Sequence, residues 1–209
     1  MHNPTTVIFD IGRVLFDWDL RHLYAKLIAD EAELDIFLRD VVTVAWHFQH
    51  DAGRPFAETS AELGARYPHY AELIAALRPR FNETNRAMMP GMERLFDDLH
   101  NANVPLYAIT NFSAEFFPAF RDKWAVVFDR FRDVVVSGEE KLVKPDPAIY
   151  RLALGRFDLR AAEAVFVDDN EANIAAAAAI GLHALHFTDE PTLRRQLVAL
   201  GLLAPSRDL

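Results

Sequence analysis

An α/β fold built on a doubly wound parallel sheet is predicted by three observations. Five short apolar runs have the composition of buried strands, helical patterns fall between the later ones, and four of the five runs lie after residue 100. In order, the runs are Val7 to Phe9, Leu106 to Ile109, Val134 to Val136, Ala164 to Val167 and Leu182 to Phe187. Helical spacing occupies Ala114 to Phe120, Pro147 to Leu154 and Glu171 to Ala179, the last of which Gly181 stops.

The stretch from about Asp19 to Met89 is different. It carries no strand pattern, and Leu20, Leu23, Tyr24, Leu27 and Ile28 recur at helical spacing. Gly53, Pro55, Pro68 and Pro79 divide it into several helices, and Pro90 with Gly91 returns the chain to the apolar face Met92, Leu95, Phe96, Leu99. The expected organisation is a core of residues 1–18 and 90–209 with a helical insertion of residues 19–89, set over the carboxyl end of the first strand.

A chain of 209 residues, 51% hydrophobic and 25% charged, suits one globular unit with an insertion. Twenty-two Lys and Arg against 31 Asp and Glu leave a net charge of -9, which repels nucleic-acid backbones and anionic membranes and favours small-molecule partners. The absence of cysteine excludes disulfides, thiolate metal sites and cysteine nucleophiles, and fits a reducing interior. Met1 to Thr6 shows no basic region leading into a long apolar stretch, and the run Ile174 to Ile180 is too short to span a bilayer. A cytoplasmic protein is expected.

Candidate chemistry begins at Asp10, where a carboxylate ends the first strand in the position at which open α/β sheets bind ligands. Alone, such an Asp reads as a cap or loop residue. Later segments supply partners. Thr110 and Asn111 follow the second strand, placing a hydroxyl and amide hydrogens where phosphate oxygens could be held; with Ser113 they also read as a helix start, and helix starts bind anions. Lys144, flanked by Pro145 and Pro147, is favoured over the surface residue Lys141 for cancelling phosphate charge. Asp168 and Asp169 end the fourth strand with Asn173 close behind, and adjacent carboxylates there call for a cation, with hard oxygen ligands suiting Mg2+. His47, His50, Trp18 and Trp46 read first as packing residues, with substrate contact as the other reading.

A strand-end Asp, then Thr and Asn, then Lys before a proline, then an acidic pair resembles the haloacid dehalogenase superfamily in order and spacing, over nearly the whole chain. The resemblance implies a Rossmann-like core, a helical cap placed after the first motif, Mg2+ as cofactor and an aspartyl-phosphate formed on Asp10. It implies that Asp10, the Gly12 carbonyl and Asp169 hold the metal. Asp168 would act through water or orient Lys144, Asn173 would steady the loop, and Thr110, Asn111 and Lys144 would clamp the phosphoryl group. The family's phosphatases carry a second Asp where this chain has Gly12, and that Asp handles the leaving-group proton. General acid help is worth about 10²–10⁴ in rate, so adding it by Gly12→Asp should speed turnover of poor leaving groups. The FDxG loop resembles that of sugar-phosphate phosphatases of the alpha-D-glucose-1-phosphate phosphatase type, whose anomeric oxygen leaves readily. A small phosphomonoester such as a hexose 1-phosphate is the expected substrate. A metal-free 2-haloacid dehalogenase and a non-catalytic phosphate-binding or phospho-switch protein are the alternatives.

Overall fold

Val7, Ile8 and Phe9 are all fully buried; an apolar run without alternation suits a strand covered on both faces. The computed structural model describes residues 3–205. In chain order its strands are β1 (Thr6–Phe9), β2 (Phe16–Trp18), β3 (Asn85–Met88), β4 (Leu106–Thr110), β5 (Asp133–Val136), β6 (Ala164–Asp168) and β7 (His183–His186). Five of them form a parallel sheet in the order β5-β4-β1-β6-β7, with β1 at its centre. All five expected runs are therefore strands of one sheet.

Alternation of side chains splits the core into two layers. Val7, Phe9, Val165 and Val167 face a cluster shared with Met92, Leu95, Phe96 and Leu99 of the helix Met92–Asn101 and with Leu193 and Leu197 of the helix Glu190–Ala199. Ile8, Ile109, Val135 and Phe166 face the opposite cluster, with Ile149, Tyr150 and Ala153 of the helix Pro147–Phe157 and Ala177 of the helix Glu171–Ala179. Helices on both faces make the sheet doubly wound. The run ending at Phe187 was expected to be buried, but His183–His186 is half-buried to exposed, because β7 is an edge strand.

Between β2 and β3 the chain is helical, from Arg21–Tyr24 through Glu31–Ile36, a π-helical turn at Phe37–Val41, Val44–Asp51, Phe56–Arg66, Ala71–Ala75 and Leu77–Arg80. Gly53 and Pro55 separate two of these helices, and Pro68 opens a 3-10 turn. Pro79 is no break: it sits in the first helical turn of Leu77–Arg80, where a missing N–H costs no helical hydrogen bond. A second correction concerns β3, which lies in the stretch read as lacking strands. Asn85, Arg86, Ala87 and Met88 include no β-branched or aromatic residue, and their strand form comes from antiparallel pairing with Phe16–Trp18 some 70 residues earlier. Leu23, Tyr24, Phe37 and Trp46 of the insertion join the same apolar cluster as Val7 and Phe9, so the insertion packs onto one face of the core.

No helix among the described residues is long and apolar enough to cross a membrane.

Candidate active site

The parallel sheet places the ends of β1, β4 and β6 side by side, and with them the charged residues that follow each apolar run. Asp10 leaves β1 while its N–H still bonds the carbonyl of Val167 at 2.8 Å. The chain then turns tightly, with Leu15 and Phe16 both donating to the Ile11 carbonyl and Arg13 in the left-handed region at φ 59°. Asp10 Oδ1 accepts from the Ile11 N–H at 2.7 Å and lies 2.8 Å from Lys144 Nζ. Among the described residues nothing donates to Oδ2, which leaves that oxygen for a ligand.

Lys144 is the hub. Its ammonium bridges Asp10 and, at 2.7 Å, Asp168 Oδ2, and only 2% of the residue is exposed. Burial works against its charge, but the two carboxylates outweigh burial and hold its pKa above the ordinary value. Burial also pushes Asp10 up to about 7, against the pull of Lys144 and with the push of Asp168. Asn111 fixes the lysine's backbone from both sides: its Nδ2 donates to the Lys144 carbonyl at 3.0 Å and its Oδ1 accepts from the Lys144 N–H at 2.8 Å. The Asn111 side chain is thus engaged in placing Lys144. Thr110, 1% exposed at the end of β4, lies behind the cavity wall.

Asp168 is fully buried and already well supplied with donors. Oδ2 takes Lys144 and Asn173 Nδ2, and Oδ1 takes Asn173 Nδ2 and the Asn170 N–H at 2.8 Å. One oxygen from each of Asp10, Asp168 and Asp169 lies within 4.8 Å of the others. Hard oxygen donors so grouped fit Mg2+, which accepts one or two carboxylates and keeps several waters. Because Asp168 is occupied by protein donors, Asp10 and Asp169 are the carboxyls open to an ion. Asp169 itself is raised by burial and by Asp168, with Arg13 and Lys144 opposing.

These groups floor a cavity of about 200 Å3 whose other wall comes from the insertion. Gly12 and Arg13 line the floor beside Asp10, Lys144, Asp169 and Asn173. A Cβ on Gly12 would meet only Trp18 Cβ, at 3.8 Å, so there is room for a side chain at that position. The aromatic wall is Trp18, Phe48, Phe81 and Phe112.

The helix Val44–Asp51 presents His47 and Asp51 to the cavity, one turn apart. Thr43 caps it, its Oγ1 accepting from the Trp46 N–H at 2.9 Å, and Gly53 at φ 92° ends it. His47 stacks on Phe81, and burial lowers its pKa to about 3; burial likewise lowers His50 to about 4. Both rings are neutral near pH 7. His50 is tied to Thr59 Oγ1 at 2.6 Å and is a packing residue, whereas His47 borders the cavity as well. Trp46 donates to the Thr59 carbonyl at 3.3 Å and is core.

Asp51 carries no motif in the sequence, yet it is buried, borders the cavity and has an Oδ1 without any hydrogen-bond partner. Burial, then the nearby charge of Asp10, pushes its carboxyl up to about 8. An acidic residue one turn after a histidine, at the carboxyl end of a helix where the dipole disfavours negative charge, was the signal available.

The sequence pattern of haloacid dehalogenase-like hydrolases matches residues 4–181. The sesquiterpene phosphatase astK of Aspergillus oryzae is 31% identical over 87% of this chain and 89% of its own length. A probable pseudouridine-5'-phosphatase of Drosophila melanogaster is 28% identical over 90% and 84%. Among solved structures, the magnesium complex of the HAD family enzyme bt-2542 from Bacteroides thetaiotaomicron superposes with a TM-score of 0.68 at 18% identity, covering 93% of this chain and all of that one. With a strand-end Asp, a buried lysine and an acidic pair converging under a helical insertion, this chain belongs to the haloacid dehalogenase-like hydrolase family.

Proposed function

We propose that the chain is a Mg2+-dependent phosphatase of a small phosphomonoester, working through an aspartyl-phosphate on Asp10. The observation that carries this reading is the grouping of the Asp10 and Asp169 carboxyls around one point with the Lys144 ammonium 2.8 Å from Asp10. Two anions, a carboxylate and a phosphate, must meet, and positive charge at that point is what permits it. Asp10, the Gly12 carbonyl and Asp169 would hold the metal, which when bound neutralises charge on the phosphoryl oxygens. Lys144 and the Asn111 N–H clamp the same group, while Thr110, behind the cavity wall, supports the strand end that carries Asn111. Asp168 and Asn173 hold Lys144 in place rather than touching substrate. Residues 19–89 serve as the cap and residues 1–18 with 90–209 as the core. The lack of cysteine supports a cytoplasmic setting.

For the substrate, the reading is a sugar phosphate such as a hexose 1-phosphate. Asn85 and Asn170 line the cavity and offer hydrogen bonds, and Trp18, whose ring packs against Arg13 and His47, adds an aromatic wall. A second reading is an isoprenoid phosphate. It is supported by Val44 and Phe48, apolar residues of the cavity wall that are 56% and 38% exposed, and by the likeness to the sesquiterpene phosphatase astK.

The test is phosphate release, with and without Mg2+, from panels of sugar, acyl, nucleoside and prenyl phosphates, using Asp10→Asn as the blank. Mg2+-dependent release lost in the blank is the expected result. Equal release in the blank removes Asp10 as nucleophile. Release of halide from a 2-haloacid in the presence of chelator would move the assignment to the dehalogenases, and tight phosphate-ester binding without turnover would move it to a binding protein.

A further inference from the structure

We propose that Asp51, supplied by the insertion, is the general acid and base of the reaction, doing the work that the loop after Asp10 cannot do with glycine at position 12. This assignment rests on the aspartyl-phosphate reading above. Asp51 borders the same cavity as Asp10 and Lys144, and its Oδ1 is buried with no hydrogen-bond partner in the described residues. A buried carboxyl oxygen without a donor is unusual in a folded protein. At the edge of the cavity it is placed to bond a ligand.

The placement of Asp51 is built rather than incidental. Its carbonyl accepts from the Ser137 hydroxyl at 2.6 Å, and that oxygen in turn accepts from the Phe112 N–H at 2.9 Å. The Ser113 backbone favours the charged form of the carboxyl, against burial. These contacts pin the end of the helix Val44–Asp51 to the ends of β4 and β5. Next to Ser137, Gly138 lets the segments approach: a Cβ there would lie 2.5 Å from Ala114 N and 2.8 Å from the Phe112 carbonyl oxygen.

The groups facing Asp51 keep its proton on. Asp10 repels a second negative charge, Lys144 pulls the other way with the smallest effect, and burial dominates. His47 Nε2, 3.7 Å from Oδ1, brings no positive charge because that ring is neutral near pH 7. The steps then balance. As Asp10 bonds to phosphorus and the phosphorus–oxygen ester bond breaks, Asp51 gives its proton to the leaving oxygen, which departs as an alcohol. Asp51, now a carboxylate, takes a proton from the water that attacks the aspartyl-phosphate. The phosphorus–oxygen bond to Asp10 breaks, and inorganic phosphate leaves with both carboxyl groups restored.

The experiment compares wild type, Asp51→Asn, Asp51→Glu and Asp10→Asn on an alkyl phosphate and on p-nitrophenyl phosphate, whose leaving group needs no proton. Acid-quench mass spectrometry reads the phosphoenzyme. With Asp51→Asn, alkyl phosphate turnover is expected to fall about 10²–10⁴-fold, while release of the first p-nitrophenolate falls less than about tenfold and phosphoenzyme accumulates. Asp51→Glu should recover part of the alkyl phosphate rate. Wild-type rates in Asp51→Asn, or an equal loss on both substrates with no phosphoenzyme, would overturn the assignment. Activity surviving in Asp10→Asn would instead remove the nucleophile reading, and this one with it.

Discussion

Replacing Lys144 with methionine keeps an unbranched apolar stem and deletes the one positive charge between Asp10 and Asp168. Asp168 cannot recover water in exchange, since it is fully buried and Lys144 itself is 2% exposed. At contacts of 2.8 and 2.7 Å the gross attraction per pair is about 6 kcal/mol for an effective dielectric near 20. Much of it offsets the cost of burying the ammonium. Removing one partner of a buried ion pair costs about 3–5 kcal/mol net. The loss should depend on pH in a definite direction. Lys144 now pulls Asp10 down from an even higher value, so in Lys144→Met the folded state holds a proton that the unfolded chain releases above its ordinary carboxyl pKa. Stability of the variant therefore falls as pH rises, and the gap from wild type is larger at pH 8 than at pH 5. Urea unfolding followed by circular dichroism, in EDTA at both pH values, measures it; millimolar Mg2+ should restore part of the gap by binding only the folded site. The double variant Lys144→Met/Asp168→Asn should recover most of the stability and none of the turnover. A variant matching wild type within about 0.5 kcal/mol at pH 8, below the cost of breaking a buried pair, would refute the claim that the ammonium holds these strand ends together.

Asp51 gives an independent test in the metal-free protein. Its carboxyl sits at about 8 when folded against an ordinary 3.8, so its contribution is most favourable below the unfolded value and declines as pH rises to 8. Asp51→Asn should gain on wild type across that window, by up to about 5 kcal/mol at pH 7.5, and melting curves that run parallel from pH 5 to 8 would count against it. Gly138→Ala forces a Cβ into backbone atoms and should destabilise by about 1–3 kcal/mol or more, with turnover falling as Asp51 shifts; an unchanged melting temperature would show that the segments can separate freely. Gly12→Asp has space for its side chain, and its gain on poor leaving groups should be concentrated in the Asp51→Asn background, where it restores at least tenfold of the lost alkyl phosphate rate, a fraction of what an acid is worth. If the gain is equally large in wild type, position 12 and not Asp51 limits proton transfer.

The strands were legible where burial is complete. Val7 to Phe9 and Ala164 to Val167 are apolar at every position because neighbours and helices cover them on all sides. β3 was not legible, since Asn85 to Met88 takes its conformation from Phe16–Trp18 and no local spacing encodes a partner that far away. β7 was found but misjudged, because an apolar run says nothing about which strand lies at the edge. The same distinction governs the site. Asp10, Lys144, Asp168 and Asp169 stand out because a charge directly after a buried run, or between prolines, needs an explanation within a few residues of itself.

Asp51 lacks any such local anomaly. An aspartate at a helix end is ordinary in sequence, and what makes this one costly is burial and the charge of Asp10, with Ser137 of another segment fixing its backbone. Distributing the carboxyls in this way has a physical consequence. Asp10 and Asp168 share one buried cation in Lys144, with Asp169 close by, so another carboxylate on the same loop would add repulsion where phosphate and metal must enter. A carboxyl brought in on the insertion stays protonated through burial and the charge of Asp10, and becomes a donor only when the helix Val44–Asp51 is seated on the core. Gly138 and Ser137 are then as much a part of the chemistry as the loop after β1, because they decide where that proton is delivered.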